Sequence, residues 1–328
     1  WCKLAGPDPL KRQIMIFMSL YPALEPFSQE RLPVGGPHVL HVEQCGNPRG
    51  FPALFLHGGP GSQTQPLHRR FFDPSFYRIV LFDQRGCGRS IPPGCTEENT
   101  TRHLVQDIEA LRKHLRLERV LLFGGSWGAT LALAYAGAYP QRVAAMVLRG
   151  VFLATRGEVD WYLGGLGREV PQAWQALTQG EGGDVLARYH AAVSQHDAAA
   201  AQRWTAYEDA VMALDSEVPA TPAEKDPEGV LARARVQLHY LAHDCFLEPG
   251  ALLSRLTRLG ETPVLIVQGS RDRVCPPRAA LELAGRLLSA ELRLVEGGGH
   301  AATQPEMARA LRGAADDLRT RLQGARAR

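Results

Sequence analysis

The chain has 328 residues, 45% of them apolar and 22% charged, and its 37 basic and 34 acidic side chains leave a net charge of +3. This length suits one large globular domain carrying an insertion, and charges so evenly interspersed argue against a disordered chain and call for no polyanionic partner. Six scattered cysteines with no C-x-x-C pair argue against a disulfide scaffold or a cysteine-bound metal, and point to reduced thiols in a cytoplasm.

In chain order, Ile14-Met-Ile-Phe-Met18 is too short to cross a bilayer or to form a signal core, so no membrane partner is expected and Met18 is read as the true start. Two more polar strands follow, one over 39–44 and one just before it, which suits an antiparallel hairpin at a sheet edge. Unbroken apolar runs then recur at Ala53–Leu56, Ile79–Phe82, Val120–Phe123, Met146–Leu148, Val264–Val267 and Leu292–Val295. They alternate with helix-period segments such as Leu104–Leu117 and Leu281–Leu288. Strands that are apolar on both sides and separated by helices predict an α/β fold, a mostly parallel central sheet with helices on both faces. From 151 to 245 the strand signal stops; alanine-rich, helix-period sequence carries Trp161, Trp174 and Trp204, with a loop expected over Pro219–Pro227. This segment is expected to be a helical cap inserted into a core built from 1–150 and 246–328. Arg309, Arg312, Arg319, Arg321, Arg326 and Arg328 are expected on the solvated face and frayed end of a last helix, not on a nucleic acid.

The run Val120–Phe123 leads straight into Gly124-Gly-Ser126-Trp-Gly128 and then into helix-forming sequence to Tyr135, the order of a nucleophile elbow. So sharp a strand-to-helix turn strains its central residue and crowds the positions two away, which explains Gly124 and Gly128. A dinucleotide site also places glycines between strand and helix, but Ser126 stands where its second glycine belongs. A hydroxyl alone is a poor nucleophile at neutral pH, so Ser126 needs a base and an acid to orient that base, following it as Asp or Glu and then His. Asp272 follows the strand at 264–267, and His300 follows the strand at 292–295 within Glu296-Gly-Gly-Gly-His. Alone, the first is a turn acid and the second a loop histidine. Three placements after strands, in the expected order, make Ser126, Asp272 and His300 the candidate triad. Asp83 is a weaker rival because it precedes the serine, and with Gly86 and Gly88 it is given a mainly structural role. His239 and His243 fall in the cap. The turn His57-Gly-Gly-Pro-Gly61 follows Ala53–Leu56 and offers Gly59 N–H to an oxyanion, with Trp127 N–H as the second donor.

These segments, with Tyr21-Pro-Ala-Leu-Glu-Pro, Glu43-Gln-Cys-Gly-Asn-Pro, His68-Arg-Arg-Phe-Phe-Asp-Pro and Asp83-Gln-Arg-Gly-Cys-Gly-Arg-Ser, resemble the proline iminopeptidase family of α/β-hydrolases. The resemblance implies a serine peptidase that releases proline from peptides beginning with it, using the same triad and neither metal nor organic cofactor. Leu148-Arg-Gly-Val-Phe152, Trp161-Tyr162 and Trp204-Thr-Ala-Tyr-Glu208 are similar to the family's recognition segments. This implies that Phe152 and Tyr162 line the pocket for the proline ring, Glu208 faces the charged imino group, and Arg149 lies near that site. One position departs from the family: Ala234-Arg-Val-Gln237-Leu-His-Tyr240 has Gln237 where a second amine-binding glutamate is expected. Gln237 is expected to accept a hydrogen bond but brings no charge, so a weaker hold on the free N-terminus follows. Two alternatives stay open, a carboxylesterase or amidase with the same triad, and a ligand-binding protein of this fold without turnover. Cys245 and Cys275 are candidate points for thiol modification.

Overall fold

A computed structural model describes residues 19–215 and 226–326. The readings of Ile14–Met18, of the Pro219–Pro222 turn and of Arg328 lie outside these residues. One sheet holds β1 (Ser28–Pro33), β2 (Val39–Gly46), β3 (Phe51–Leu56), β4 (Tyr77–Phe82), β5 (Val120–Ser126), β6 (Val143–Val151), β7 (Val264–Gly269) and β8 (Ala290–Val295), in the order β1-β2-β4-β3-β5-β6-β7-β8. β2 pairs antiparallel with both β1 and β4, and every other pairing is parallel. The polar look of β2 has a specific origin. Glu43 is buried there and accepts from Arg69 Nη2 at 2.7 Å and from Arg89 Nη1, so its charge is compensated inside the fold.

The helices in chain order are α1 (Thr101–His114), α2 (Trp127–Ala138), α3 (Arg156–Asp160), α4 (Pro171–Thr178), α5 (Val185–Ser194), α6 (Ala198–Ala213), α7 (Pro227–Ala242), α8 (Ala251–Arg255), α9 (Pro277–Arg286) and α10 (Pro305–Arg326). Side chains alternate across the strands, so Leu54, Leu56, Val80 and Leu122 join one core with α1, α2 and α9. Ala53, Phe55, Ile79, Leu81, Leu121 and Phe123 join a second core against α10. Burial on both faces is why these strands read as unbroken apolar runs.

Helices α3 to α8 lie between β6 and β7. Their starts are locally encoded: Asp184, Asp197 and Asp226 each accept the backbone N–H three residues on, opening α5, α6 and α7, and Thr155 forms a reciprocal capping pair with Glu158 at α3. α7 packs on α5 and α6. No helix among the described residues is long and apolar enough to cross a membrane.

Two expectations need correction. Helix α9 stops at Arg286, and its buried face is Ala279, Ala280 and Leu283, while Leu281 and Leu288 are 60% and 84% exposed. Leu281 points away from that buried face, and Leu288 lies in the turn beyond the helix end. The C-terminal arginines are also not simply solvated: Arg312 stacks 4.6 Å over the Tyr21 ring, Arg319 pairs with Asp73, and Arg321 reaches Glu291 at 2.8 Å. They tie α10 to the rest of the chain.

Candidate active site

The end of β5 and the start of α2 meet at Ser126, whose backbone sits at φ 56° and ψ −125°. A non-glycine residue there is strained, typically by about 1–3 kcal/mol, and persists only where surroundings hold it. Space demands the flanking glycines. A Cβ on Gly124 would stand 2.3 Å from the Gly128 carbonyl oxygen, and one on Gly128 would stand 2.1 Å from that of Leu56. Ser126 is thereby raised into a cavity of about 370 Å³, which His300 also lines.

His300 and Asp272, 4% and 3% exposed, leave the carboxyl ends of β8 and β7. His300 Nδ1 lies 2.9 Å from Asp272 Oδ2 and 3.1 Å from Oδ1. The acid also accepts from Cys275 N–H at 2.8 Å and from Gln268 Nε2 at 3.3 Å. An acceptor-only carboxylate puts the imidazole proton on Nδ1 and leaves Nε2 as a lone pair. No Ser126–His300 hydrogen bond is formed among the described residues. Such bonds are commonly long before substrate binds and tighten in the complex. Arg149 lines the cavity and donates from Nη1 to the His300 carbonyl, so it holds the histidine's backbone. Its guanidinium lies over Gly125, where a Cβ would come within 2.4 Å of it.

The loop after β3 forms the opposite wall. Gly59 has φ +115°, and a Cβ on it would stand 2.7 Å from Gly61 N. Trp127 N–H is the first of α2 and has no acceptor within the helix. The loop is fixed by Gln84, which gives its backbone N–H to His57 Nε2 and its side-chain amide to His57 O, both at 2.9 Å, and accepts the Trp127 indole N–H at 2.9 Å. Burial pushes the His57 pKa down, in keeping with a neutral acceptor ring. Asp83 accepts from Thr64 N–H at 2.8 Å, from Thr64 Oγ1 at 2.6 Å and from Arg89 Nε at 2.8 Å. Its oxygens are committed to this loop, and among the described residues neither bonds a histidine.

Phe152, Tyr162, Glu208, Arg233 and Gln237 line the remainder of the cavity. Trp204 Nε1 donates to Gln237 Oε1 at 2.7 Å, and Gln237 Nε2 donates to Glu208 Oε1 at 2.6 Å. An indole N–H can only donate, so the amide orientation is fixed by chemistry. Gln237 does accept one hydrogen bond, as expected from the sequence, but from the Trp204 indole, while its amide holds Glu208. The other carboxylate oxygen, Glu208 Oε2, is buried without a hydrogen-bond donor among the described residues. Arg233 Nη2 lies 3.4 Å from it, an ion pair lacking hydrogen-bond alignment. Arg233 escaped the sequence reading, although it stands one helical turn before Gln237 and so shares its face of α7. Gln268, which bridges Asp272, Cys275 O and Val151 N–H, also escaped it, since a glutamine within a buried strand carries no motif.

Cys275 lines the same cavity, with its thiol beside the Ser126 hydroxyl. Burial, and then the neighbouring Asp272, push that thiol well above the usual cysteine range. The Cys245 thiol is likewise raised by burial.

Over residues 52–303 the chain matches the alpha/beta hydrolase fold family. It is 43% identical over 298 residues to a proline iminopeptidase of Arabidopsis thaliana, covering 88% of this chain and 78% of that protein. To a proline iminopeptidase of Xylella fastidiosa it is 42% identical over 310 residues, covering 92% of this chain and 99% of the relative. The crystal structure of a Mycobacterium smegmatis proline iminopeptidase has the same fold, with a TM-score of 0.57 at 19% identity over 90% of this chain and 98% of that one.

Proposed function

The chain belongs to the proline iminopeptidase family of α/β-hydrolases, and from that membership we propose how its own residues cleave the bond after an N-terminal proline. It is a serine hydrolase with prolyl aminopeptidase activity. The observation that carries the site assignment is a buried carboxylate oxygen, Oε2 of Glu208, without a hydrogen-bond donor among the described residues, in a side chain on the wall of the cavity that also takes in Ser126 and His300.

In this reading the segment 151–245 is the recognition cap, and peptides beginning with proline enter with the imino cation against Glu208 and the ring between Phe152 and Tyr162. Ser126 Oγ attacks the proline carbonyl while His300 Nε2 takes its proton. Asp272 holds the imidazole in the required tautomer and stabilises the imidazolium that forms. The oxyanion is met by the N–H groups of Gly59 and Trp127. His300 then protonates the departing amine, and water, activated by the same imidazole, releases proline from the acyl-enzyme. Arg149 and Gln268 are positioning residues, one holding the His300 backbone and the other the Asp272 carboxylate. The five described cysteines stand as free thiols, which supports a reducing, cytoplasmic setting.

The test compares kcat/KM for prolyl 2-naphthylamide, its N-acetylated counterpart and a short nitrophenyl ester, in the wild type and in Ser126→Ala. A strong preference for the free imino group, with turnover lost in Ser126→Ala, is expected. Equal turnover of the acetylated substrate would assign a broader amidase or esterase, and survival of activity in Ser126→Ala would remove the proposed nucleophile.

A further inference from the structure

Three histidines meet in the helical segment away from the catalytic cavity. His190 is on α5, His239 is on α7, and His243 caps the C-terminus of α7. Each offers a ring nitrogen, and the three nitrogens all lie within 4.8 Å of one another. None of the three lines the cavity of Ser126 and Glu208. We propose that His190, His239 and His243 form a binding site for a first-row divalent cation, zinc foremost, that staples α5 to the end of α7.

Second contacts of the rings support this. His239 Nε2 lies 2.9 Å from the Asn99 carbonyl oxygen, and His243 Nδ1 lies 2.7 Å from the His239 carbonyl oxygen. A carbonyl only accepts, so each of these nitrogens carries the proton and the other nitrogen of the same ring is a bare lone pair. A ring N–H anchored on a backbone carbonyl, with the second nitrogen free, is the usual outer-shell arrangement of a metal-binding histidine. Spacing agrees as well: His239 and His243 are four apart, on one face of the helix end. Zinc–nitrogen bonds of about 2.0–2.1 Å need the donors closer than 4.8 Å, by a little over 1 Å in a tetrahedral set. Exposed His243 and half-buried His190 can supply that by side-chain rotation. Three imidazoles without a carboxylate select zinc, copper, nickel or cobalt over magnesium or calcium.

The site would act on the fold through α7. That helix carries Arg233 and Gln237 to the catalytic cavity, and its Arg233 carbonyl packs so closely on Gly61 that a Cβ there would come within 2.6 Å. Tyr240, on the same helix, meets the Trp127 ring at a centroid distance of 4.9 Å. A cation joining α5 to α7 is therefore expected to stabilise the segment that frames the pocket, without entering the chemistry.

The experiment uses the full chain without a histidine tag, stripped with chelator and titrated with ZnCl2 by calorimetry and with CoCl2 by visible absorption. His190→Ala, His243→Ala and the double variant are run in parallel. The wild type is expected to bind one equivalent, to show the d–d bands of tetrahedral cobalt, and to melt at a temperature that climbs with the logarithm of free zinc. Each single variant is expected to weaken binding at least tenfold and the double variant to abolish it. Metal-free Tm and prolyl 2-naphthylamide turnover should match the wild type in all three, which shows that they fold. Absence of binding to the wild type, or binding that persists in the double variant, would overturn the site.

Discussion

Replacing Glu208 with Gln removes the charge assigned to the imino cation while keeping nearly the same shape. The structure sets the size of the effect. At the 3.4 Å separation between Glu208 Oε2 and Arg233 Nη2, Coulomb's law with an effective dielectric of 20 gives an attraction of about 5 kcal/mol, and an imino cation at hydrogen-bond distance gains a similar amount. Desolvating the cation offsets part of this. Loss of one partner from a buried, hydrogen-bonded charge pair commonly costs about 2–5 kcal/mol. Taking 2–4 kcal/mol, kcat/KM for prolyl 2-naphthylamide falls roughly 30- to 1,000-fold, at 1.36 kcal/mol per decade. Arg233 adds to the loss, because without Glu208 its charge faces the incoming cation. The fold should survive, since Gln237 Nε2 can donate to the new amide oxygen and Arg233, with 30% of its side chain exposed, can turn to solvent. The assay pairs the arylamide with a short nitrophenyl ester that has no imino group. A loss below fivefold on the arylamide, or an equal loss on the ester, would refute the assignment of Glu208 to the N-terminus.

The converse variant, Gln237→Glu, places a second carboxylate 2.6 Å from Glu208 Oε1, still able to accept the Trp204 N–H. Two carboxylates this close share a proton until a cation arrives, so KM for the arylamide should fall up to about tenfold at alkaline pH and lose that gain as pH drops; a pH-independent KM would contradict it. Acid stability follows from Glu43, Asp83 and Asp73, where burial pushes each pKa up but bonds from arginines and hydroxyls prevail and hold it below the usual carboxylate range. Their stabilisation is complete above the unfolded values near ~4 and is lost as pH falls through the lower folded values, so thermal scans should show Tm dropping below about pH 4. Arg89→Gln removes a partner of both Glu43 and Asp83 and should cost about 2 kcal/mol at neutral pH, short of the ~3–5 of a fully buried pair because Arg89 is 37% exposed, and it should flatten the acid slope; an unchanged slope would count against the assignment. Cys275 should resist iodoacetamide at pH 8 and leave activity intact, because its buried thiol stays protonated; rapid inactivation traced to Cys275 by mass spectrometry would show that the thiol is reactive after all.

How far the site could be read from the sequence depended on how local its causes are. The elbow is a steric problem solved within five residues, so Gly124, Ser126 and Gly128 announce it. Asp272 and His300 could be placed because each leaves a strand whose apolar run is unmistakable, and a parallel sheet delivers such strand ends to one edge. The hairpin of β1 and β2 was legible from its polarity, although the cause, Glu43 paired with Arg69 and Arg89, joins three separate segments. The bounds of the Leu281–Leu288 segment were less legible, because helical period alone says neither where a helix stops, here at Arg286, nor which face meets the sheet. The orientation of Gln237 could not be read at all, since it is set by the indole of Trp204 from another helix. For the same reason the sequence placed His239 and His243 in the cap but gave no hint that His190 on α5 joins them.

In the proposed mode of binding, one carboxylate serves in place of two because of how its oxygens are divided. Oε1 is held by the Gln237 amide, itself fixed by Trp204, so Glu208 needs little further ordering when substrate arrives. Oε2 is buried, and the Arg233 guanidinium 3.4 Å away lies beside it without hydrogen-bond alignment. An incoming imino N–H can align with this oxygen better than Arg233 does, and Arg233 then loses little, because its partial exposure lets water take up its charge. A second carboxylate would add attraction but also repulsion between the two acids before binding. Gln237 gives up that attraction and in return keeps Glu208 oriented without a like charge beside it. In the proposed mode, recognition rests on the difference between an aligned cation from substrate and a misaligned one from Arg233. Arg233→Met should therefore lower KM for free-imino substrates while leaving the ester untouched.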